Sequence, residues 1–504
     1  MLKYRKFLAL VVLLLVTLPL VVHAQGGFSG ELTVSFWGNV DEYAKGNSDN
    51  RPWQAAYELI QDWAKAHPDV KVTFISQPID GIYDRIRTQL ISGTLPDLVA
   101  MYPTDQMLSG NLDLLYNLTP DIDKKNPYGQ FDTWRQEFWY DLNIGTRSPA
   151  IPAGQVYFVG NSLPENIGQM VIYYNKTAFD AAGIKDIPTT FDALINDCKA
   201  LKTAGWPAPL FADASTGPSM SWYSSWIGEQ ILDPIDKQIA AAWNVPDEGN
   251  FINEEMMAWA ISKGVLTGDN PYVLETAKLM KDLQSNCFNS DWQAADSTVD
   301  YFLTKKTAMI HNGFWAISQY AEAPDRDFDF GSFVFPLITK DSSSLATVDQ
   351  VRRWGGLEGG EVGDSFFIPQ TTVDNGHLPM ALDLLQYITS RPGNDTWCST
   401  QFPPCIPKGQ TIDQVVSDPK VQAEVYGFYN PPMSPDTIVC GIGNSDFTPD
   451  GVFLRLLNLY MAGNITIDDF GKQLQDEYSR WAQSDIVDHP EWNADSWPAA
   501  PSGS

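Results

Sequence analysis

Tyr173-Tyr174-Asn175-Lys176 is followed by Phe179, Ala182-Gly183-Ile184, Pro188, Thr190-Phe191-Asp192 and Leu194. Far downstream, Tyr301-Phe302-Leu303 is followed by Lys305-Lys306-Thr307-Ala308-Met309 and Gly313-Phe314-Trp315. Both stretches read as places where the chain passes between two bodies. A chain that leaves one body and returns to it much later leaves a cleft between them, and a few residues in the connections can absorb its closing.

Working outward to the N-terminus, Lys3, Arg5 and Lys6 precede the apolar run Phe7 to Val22, and Val22-His23-Ala24 offers small residues at the cleavage positions. This is the pattern of an export signal over residues 1–24. A membrane-spanning helix of about 20 apolar residues is the alternative, weakened because Pro19 interrupts the run and His23 ends it. No Cys follows the cleavage site, so lipid attachment through an N-terminal cysteine is not indicated.

The remaining chain of about 480 residues exceeds what one core usually serves, and two large lobes are expected. Removing the three signal cations takes the net charge from −29 to about −32. Such a surface repels nucleic-acid phosphates and anionic membranes, and neither is expected as a partner. A solvated, self-repelling surface accounts for the acidity without a metal site. Five cysteines in an exported chain permit disulfides with one left over. Cys398 and Cys405 flank a short Pro-containing loop, while Cys198 and Cys287 each lie on the apolar stripe of a predicted helix, as a pair or as ordinary buried thiols. No cysteine has a CxxC spacing or a nearby His in a nucleophile-base pattern, which argues against thiol chemistry and zinc.

The spacing predicts a strand over Glu31 to Trp37, a helix over Pro52 to Ala66, a strand over Lys71 to Ile75, a helix over Gly81 to Ser92 and a strand over Leu98 to Tyr102. This order points to a right-handed α/β unit with ligand sites at the strand ends. From Lys176 to Thr298 the chain reads mostly as helix. Phe191, Leu194, Ile195, Cys198 and Leu201 form one stripe, with Thr190 or Thr189 as N-cap. Ile231 to Asn270 reads as an elaboration. Strands are expected around Phe328 to Phe335 and Phe366-Phe367-Ile368, then helices such as Pro379 to Thr389 and Phe453 to Met461. The tail from Trp497 to Ser504 is expected to be disordered.

Taken together, these residues resemble the extracellular solute-binding proteins of ABC transporters, in particular the sugar-binding family that includes maltose-binding protein. The Tyr-Asn-Lys, Ala-Gly, Pro-x-Thr-Phe-Asp-x-Leu series carries the resemblance, as do Thr307-Ala308-Met309 with Gly313-Phe314-Trp315, Gly93-Thr94-Leu95-Pro96-Asp97 before a strand, and Gly463-Asn464-Ile465-Thr466 before a last helix. The extra length at Ile231 to Asn270 and the cysteine-bearing loop depart from the pattern. The resemblance implies an α/β type II periplasmic-binding-protein fold, two lobes joined by a hinge with a ligand cleft between them. It implies crossings near Gly160 to Ile172, Met309 to Gly313 and Pro369 to Asp374, with 27–160 and 311–370 in lobe one, 161–310 and 371–496 in lobe two, and 497–504 as tail. It further implies an exported, periplasmic or extracellular monomer that needs no cofactor and hands a carbohydrate to ABC permease subunits.

A sugar presents hydroxyls in many directions and one or two apolar faces, so its site needs flat rings beside carboxylates and amides. Trp37 and Asn39 at the first strand's end, Tyr102 and Asp105 after the third, Trp222, Tyr223 and Trp226 in lobe two, Asn312 and Trp315 at a crossing, and Trp354 and Glu358 in a Gly-rich loop are the candidates. For any one Trp, core packing is the competing reading, and helical spacing sets Trp222 and Trp226 on one face. Asp97 reads as structural. A secreted glycoside hydrolase would need two carboxylates facing across the cleft, and no pair stands out by motif. A polyamine or other charged solute is the remaining alternative, since acids beside rings suit an ammonium.

Overall fold

Two sheets organise the chain in this computed structural model, which describes residues 27–45, 51–78, 82–101, 105–108, 110–138, 151–152, 154–161, 170–213, 219–244, 252, 254–295, 299–313, 316–348, 364–399, 412–429 and 451–500. In the first sheet, β1 (Gly30–Trp37) lies parallel to β2 (Val70–Gln77) and β3 (Leu98–Ala100). Strand β4 (Val159–Asn161) and strand β8 (Asp364–Phe367) complete the order β2-β1-β3-β8-β4, with β8 antiparallel to both its neighbours.

Leu98 and Ala100 enter one core with Leu32, Val34 and Phe36, whereas Val99 and Met101 enter another with Ile86, Leu90 and Phe367. Burial on both faces explains why Leu98-Val99-Ala100-Met101 is a continuous apolar run. The helix Arg51–Ala66 buries Trp53, Ala56 and Ile60 in the first of these cores as its spacing predicts, packs Tyr57 and Ala64 against it half-buried, and adds Trp63, which the spacing did not single out. Asp97 is structural: one carboxylate oxygen accepts from the Thr33 backbone N–H at 2.8 Å and its hydroxyl at 2.7 Å, and the other lies 2.8 Å from His377 Nδ1.

The second sheet has β5 (Met170–Asn175) at its centre, antiparallel to β6 (Met309–Gly313) on one side and β7 (Phe330–Phe333) on the other. Its faces separate by the two-residue alternation of a strand. Ile172, Met309 and Phe333 join a large helical core, while Val171, Tyr173, Ile310 and Phe330 join a smaller one with Phe302, Tyr320 and Val425. The helix Phe191–Thr203 buries the predicted stripe, and Thr190 Oγ1 accepts from the Ala193 N–H as its cap. Thr466 and Asp469 form a reciprocal capping box at the start of Ile467–Asp488. Gly427 is required where the helix Pro419–Tyr429 crosses β7, because a Cβ there would come within 2.7 Å of the Phe333 backbone.

The structure redraws three of the expected divisions. Residues 311–370 were expected in lobe one, but β6 and β7 both pair with β5, and Phe335, Ile338 and Ala346 pack in the large helical core. Alternating Phe residues mark a strand without naming its sheet. Residues 371–496 were expected in lobe two, yet the helix Leu378–Ile388 belongs to the first core, where Asp383 accepts from Trp63 Nε1 at 2.8 Å and Tyr128 Oη at 2.7 Å. Burial raises the Asp383 carboxyl above its usual range, and these two donors act against that rise. The crossings expected near Met309 to Gly313 and near Pro369 to Asp374 therefore move. Among the described residues the chain passes between the sheets from Asn161 to Met170, after Ala346 and before Asp364, and after Ser399 and before the helix Pro419–Tyr429.

The third correction concerns the tail. Trp497 donates its indole N–H to Glu255 at 2.7 Å, and Trp259 donates to the Pro498 carbonyl at 2.7 Å, so Trp497 and Pro498 are fastened to the helix Glu254–Ser262, while 501–504 lie outside the described residues. That helix and Asp233–Trp243 feed the large helical core, consistent with an elaboration of one body.

Cys198 and Cys287 are joined by a disulfide, with Cα atoms 5.2 Å apart, tying Phe191–Thr203 to Pro271–Cys287 across a separation of 89 residues. Cys405 and the side chain of Cys398 lie outside the described residues. Loop-closure entropy sets a ceiling of about 4 to 5 kcal/mol for such a cross-link. Replacing both residues (Cys198→Ser with Cys287→Ser) is expected to lower the unfolding midpoint by several degrees in calorimetry, and an unchanged midpoint would show that the bond adds no stability.

Candidate functional site

The helix Ser219–Ile231 and strand β6 bring together most of the described candidates. Met220, Tyr223, Ile227 and Ile231 are buried one or two turns apart, which fixes the helix on the large core and leaves Trp222 partly exposed at its edge. Tyr223 is fully buried and donates its hydroxyl to the Phe211 carbonyl at 2.8 Å. Trp226 is stacked on Phe335 with ring centroids 5.1 Å apart. Tyr223 and Trp226 are thus core groups, a correction of the expectation that they touch ligand. The physical reason is helical geometry, because the stripe that faces the sheet takes both of them.

Asn312 also turns inward. Its amide donates to Tyr320 Oη at 3.0 Å and its carbonyl oxygen accepts from the Gly313 N–H at 2.8 Å. The Tyr173 hydroxyl donates to the Gly313 carbonyl at 2.9 Å, so the end of β6 is held by side chains from the sheet's smaller core. Asn312 positions this strand end, and its own hydrogen-bonding groups are already engaged.

In the first sheet Asn39 is exposed just beyond β1. Its side-chain oxygen caps the short helix Val40–Ala44 by accepting from the Asp41 N–H at 3.0 Å. Gly38 adopts φ 69° to make the turn out of the strand, a conformation that favours glycine. Trp37 ends β1 and Asp105 opens the short helix Asp105–Leu108, with their side chains outside the described residues. Tyr102, Trp315, Trp354 and Glu358 lie outside the described residues altogether.

Two groups that the sequence reading passed over act on this helix, Asp213 on Tyr223 and His311 on all three of its rings. Asp213 follows the segment in which the Phe211 N–H bonds the Met309 carbonyl, and this buried carboxylate raises the Tyr223 hydroxyl pKa as a secondary cause after burial. His311 sits between Ile310 and Asn312 on β6. Its ring meets Trp222 at 4.8 Å between centroids, Tyr223 at 4.7 Å and Trp226 at 6.3 Å, and neither ring nitrogen has a hydrogen-bond partner among the described residues. A single His within the apolar alternation Met309-Ile310-His311 was the available signal. Among the described residues no group of three or more His, Cys, Asp or Glu is placed to hold a metal ion, and no helix is long and apolar enough to cross a membrane.

Burial pushes the His311 imidazole from 6.5 down to about 3. Between those values the unfolded chain binds a proton that the folded chain refuses. The stability linked to His311 is therefore complete above about pH 6.5 and declines as pH falls toward 3, at a limiting rate of about 1.4 kcal/mol per pH unit. Denaturant unfolding between pH 7 and 4 is expected to lose stability less steeply in His311→Leu than in the parent chain, and parallel curves would contradict this.

Sequence and structural comparisons relate the chain and its fold to known proteins. The curated multiple sugar-binding protein of Streptococcus mutans is 22% identical over 283 residues, covering 55% of this chain and 58% of that protein. The diacetylchitobiose binding protein DasA of Streptomyces coelicolor is 26% identical over 197 residues, covering 39% of each. The matches therefore span less than two thirds of these relatives' lengths. A crystal structure of a periplasmic solute binding protein from Pectobacterium atrosepticum superposes with a TM-score of 0.61 at 17% identity, over 91% of this chain and 100% of that one, and shares the two-lobed α/β fold. The family model for the bacterial extracellular solute-binding proteins matches residues 48–395. With two interleaved sheets and a match over most of its length, the chain belongs to the bacterial extracellular solute-binding proteins.

Proposed function

We propose that this protein is an exported receptor that captures a carbohydrate between its lobes, performs no chemistry on it, and delivers it to the permease of an ABC importer. The observation that carries the reading is Trp222, a partly exposed indole packed on the large core and edge-on to the buried imidazole of His311, with the buried carboxylate of Asp213 acting on neighbouring Tyr223. A flat apolar face next to hydrogen-bonding groups suits a pyranose, whose C–H face packs on a ring while its hydroxyls seek donors and acceptors. The names of the two curated relatives, one for sugars and one for diacetylchitobiose, support a carbohydrate as ligand. Trp37, Asn39, Tyr102, Asp105, Trp315, Trp354 and Glu358 are proposed to complete the site from the strand ends and connections. The N-terminal pattern and the family's extracellular character support export, and the acidic surface supports a small-molecule ligand over nucleic acid.

Binding stabilises a closed form only to the extent that the ligand prefers it, so a sugar held by groups from both lobes will also shift them together. Calorimetry with a panel of neutral oligosaccharides is expected to give heat with at least one of them and no new reducing ends on prolonged incubation. Reducing ends that accumulate would overturn the receptor in favour of a hydrolase. Trp222→Ala is expected to weaken that binding by about 1 kcal/mol or more, the worth of a ring contact beyond its buried area. Unchanged affinity in the folded variant would remove Trp222 from the site.

A further inference from the structure

His311 is buried to 1% exposure with both ring nitrogens unpaired among the described residues, while Tyr223, Asn312 and Trp226 beside it have partners. Tyr223 is bonded to the Phe211 carbonyl, Asn312 to Tyr320, and Trp226 is stacked on Phe335. Of the three helix rings that touch the imidazole, Trp222 is the partly exposed one, and it stands edge-on to it at 74°. Met309 and Ile310, the preceding residues of β6, show that this strand fills its cores with apolar side chains. A similar residue at position 311 would leave no hydrogen-bonding capacity unmet. An unmade hydrogen bond in a dry interior is costly, so the imidazole calls for a partner that arrives from outside.

The chemistry of that partner follows from the ring's state. Burial disfavours the imidazolium. A neutral imidazole carries one donor and one acceptor and no charge. A hydroxyl, which both donates and accepts, matches it, whereas a carboxylate would gain no counter-charge there.

We infer that His311 is a specificity-determining residue of the site proposed above, in which a hydroxyl of a neutral sugar, entering where the Trp222 edge covers the imidazole, hydrogen-bonds one of its ring nitrogens. The inference rests on the sugar-receptor reading and adds to it that the site selects uncharged hydroxylated ligands over acidic sugars.

The test uses the full chain with ¹⁵N-labelled histidine. Maltose, raffinose, N,N′-diacetylchitobiose, xylobiose and, as the charged comparison, digalacturonate are titrated in by calorimetry and by NMR of the ring nitrogens. The His311 signals are identified as those missing from His311→Asn. A neutral sugar that binds is expected to move the His311 ring signals, to bind about tenfold more weakly to His311→Leu, the worth of one good hydrogen bond, and to outbind digalacturonate. A sugar that binds the parent chain, leaves these signals in place and binds both variants equally overturns the inference while leaving the receptor intact. If none of the sugars binds the parent chain, the receptor reading fails first and this inference with it. Should His311→Leu not fold, the ring signals of the parent chain decide alone.

Discussion

Strand β8 lies between β3 and β4 and pairs antiparallel with both, and the architecture depends on this insertion. Its residues come from late in the chain, after the second sheet has been built, so the first sheet is not complete until the chain has left it and returned. The Ser365 carbonyl accepts from the Met101 N–H at 2.9 Å and its hydroxyl donates to the Met101 carbonyl at 2.7 Å, fixing the register beside β3. Phe366 and Phe367 then supply one ring to each face of the sheet. Because a one-residue slip would exchange these rings between the two cores, the pairing is strongly specified.

Interleaving of this kind links the two sheets by several chain passages. Each core still carries its own polar anchors. In the first, the Asp97 network joins β1 to the helix Leu378–Ile388 through Thr33 and His377, and Asp383 joins the same helix to Trp63 and Tyr128. In the second, the disulfide and the capped helices brace the sheet from one side, and Pro419–Tyr429 crosses β7 at close range from the other. Two well-braced bodies joined by a few connections are what hinge closure requires, since the rotation is then absorbed in the connections and not in the cores. On the proposed reading, Trp222 and His311 belong to the second body and Asn39, at the mouth of β1, to the first.

Much of this was legible in the sequence because local pattern and final environment agree. The run Leu98 to Met101 reads as a doubly buried strand and is one, and the stripe from Phe191 to Leu201 reads as a buried helix face and is one. The resemblance carried by Tyr173 to Leu194 led to the family. Other features depended on tertiary choices that leave no local trace. The Phe328 to Phe335 alternation fits either sheet, and only the open edge of β5 decides between them. The apolar face of Leu378–Ile388 suits either core, and the partners of Asp383 decide. The site was harder still. Trp222, Tyr223 and Trp226 are alike on the page, and their roles diverge only when one edge of the helix is left partly exposed. His311 was missed because a lone histidine in an apolar strand has no motif, and its meaning lies in which partners it lacks.

The central claim is that two bodies close on a sugar held at Trp222. Small-angle scattering of the purified protein, with and without a saturating amount of whichever neutral sugar gives heat in calorimetry, tests it most directly. The account predicts a smaller radius of gyration in the bound form, with the change reversed when the sugar is dialysed away. Identical scattering in the two states, with binding verified in the same sample, would contradict it.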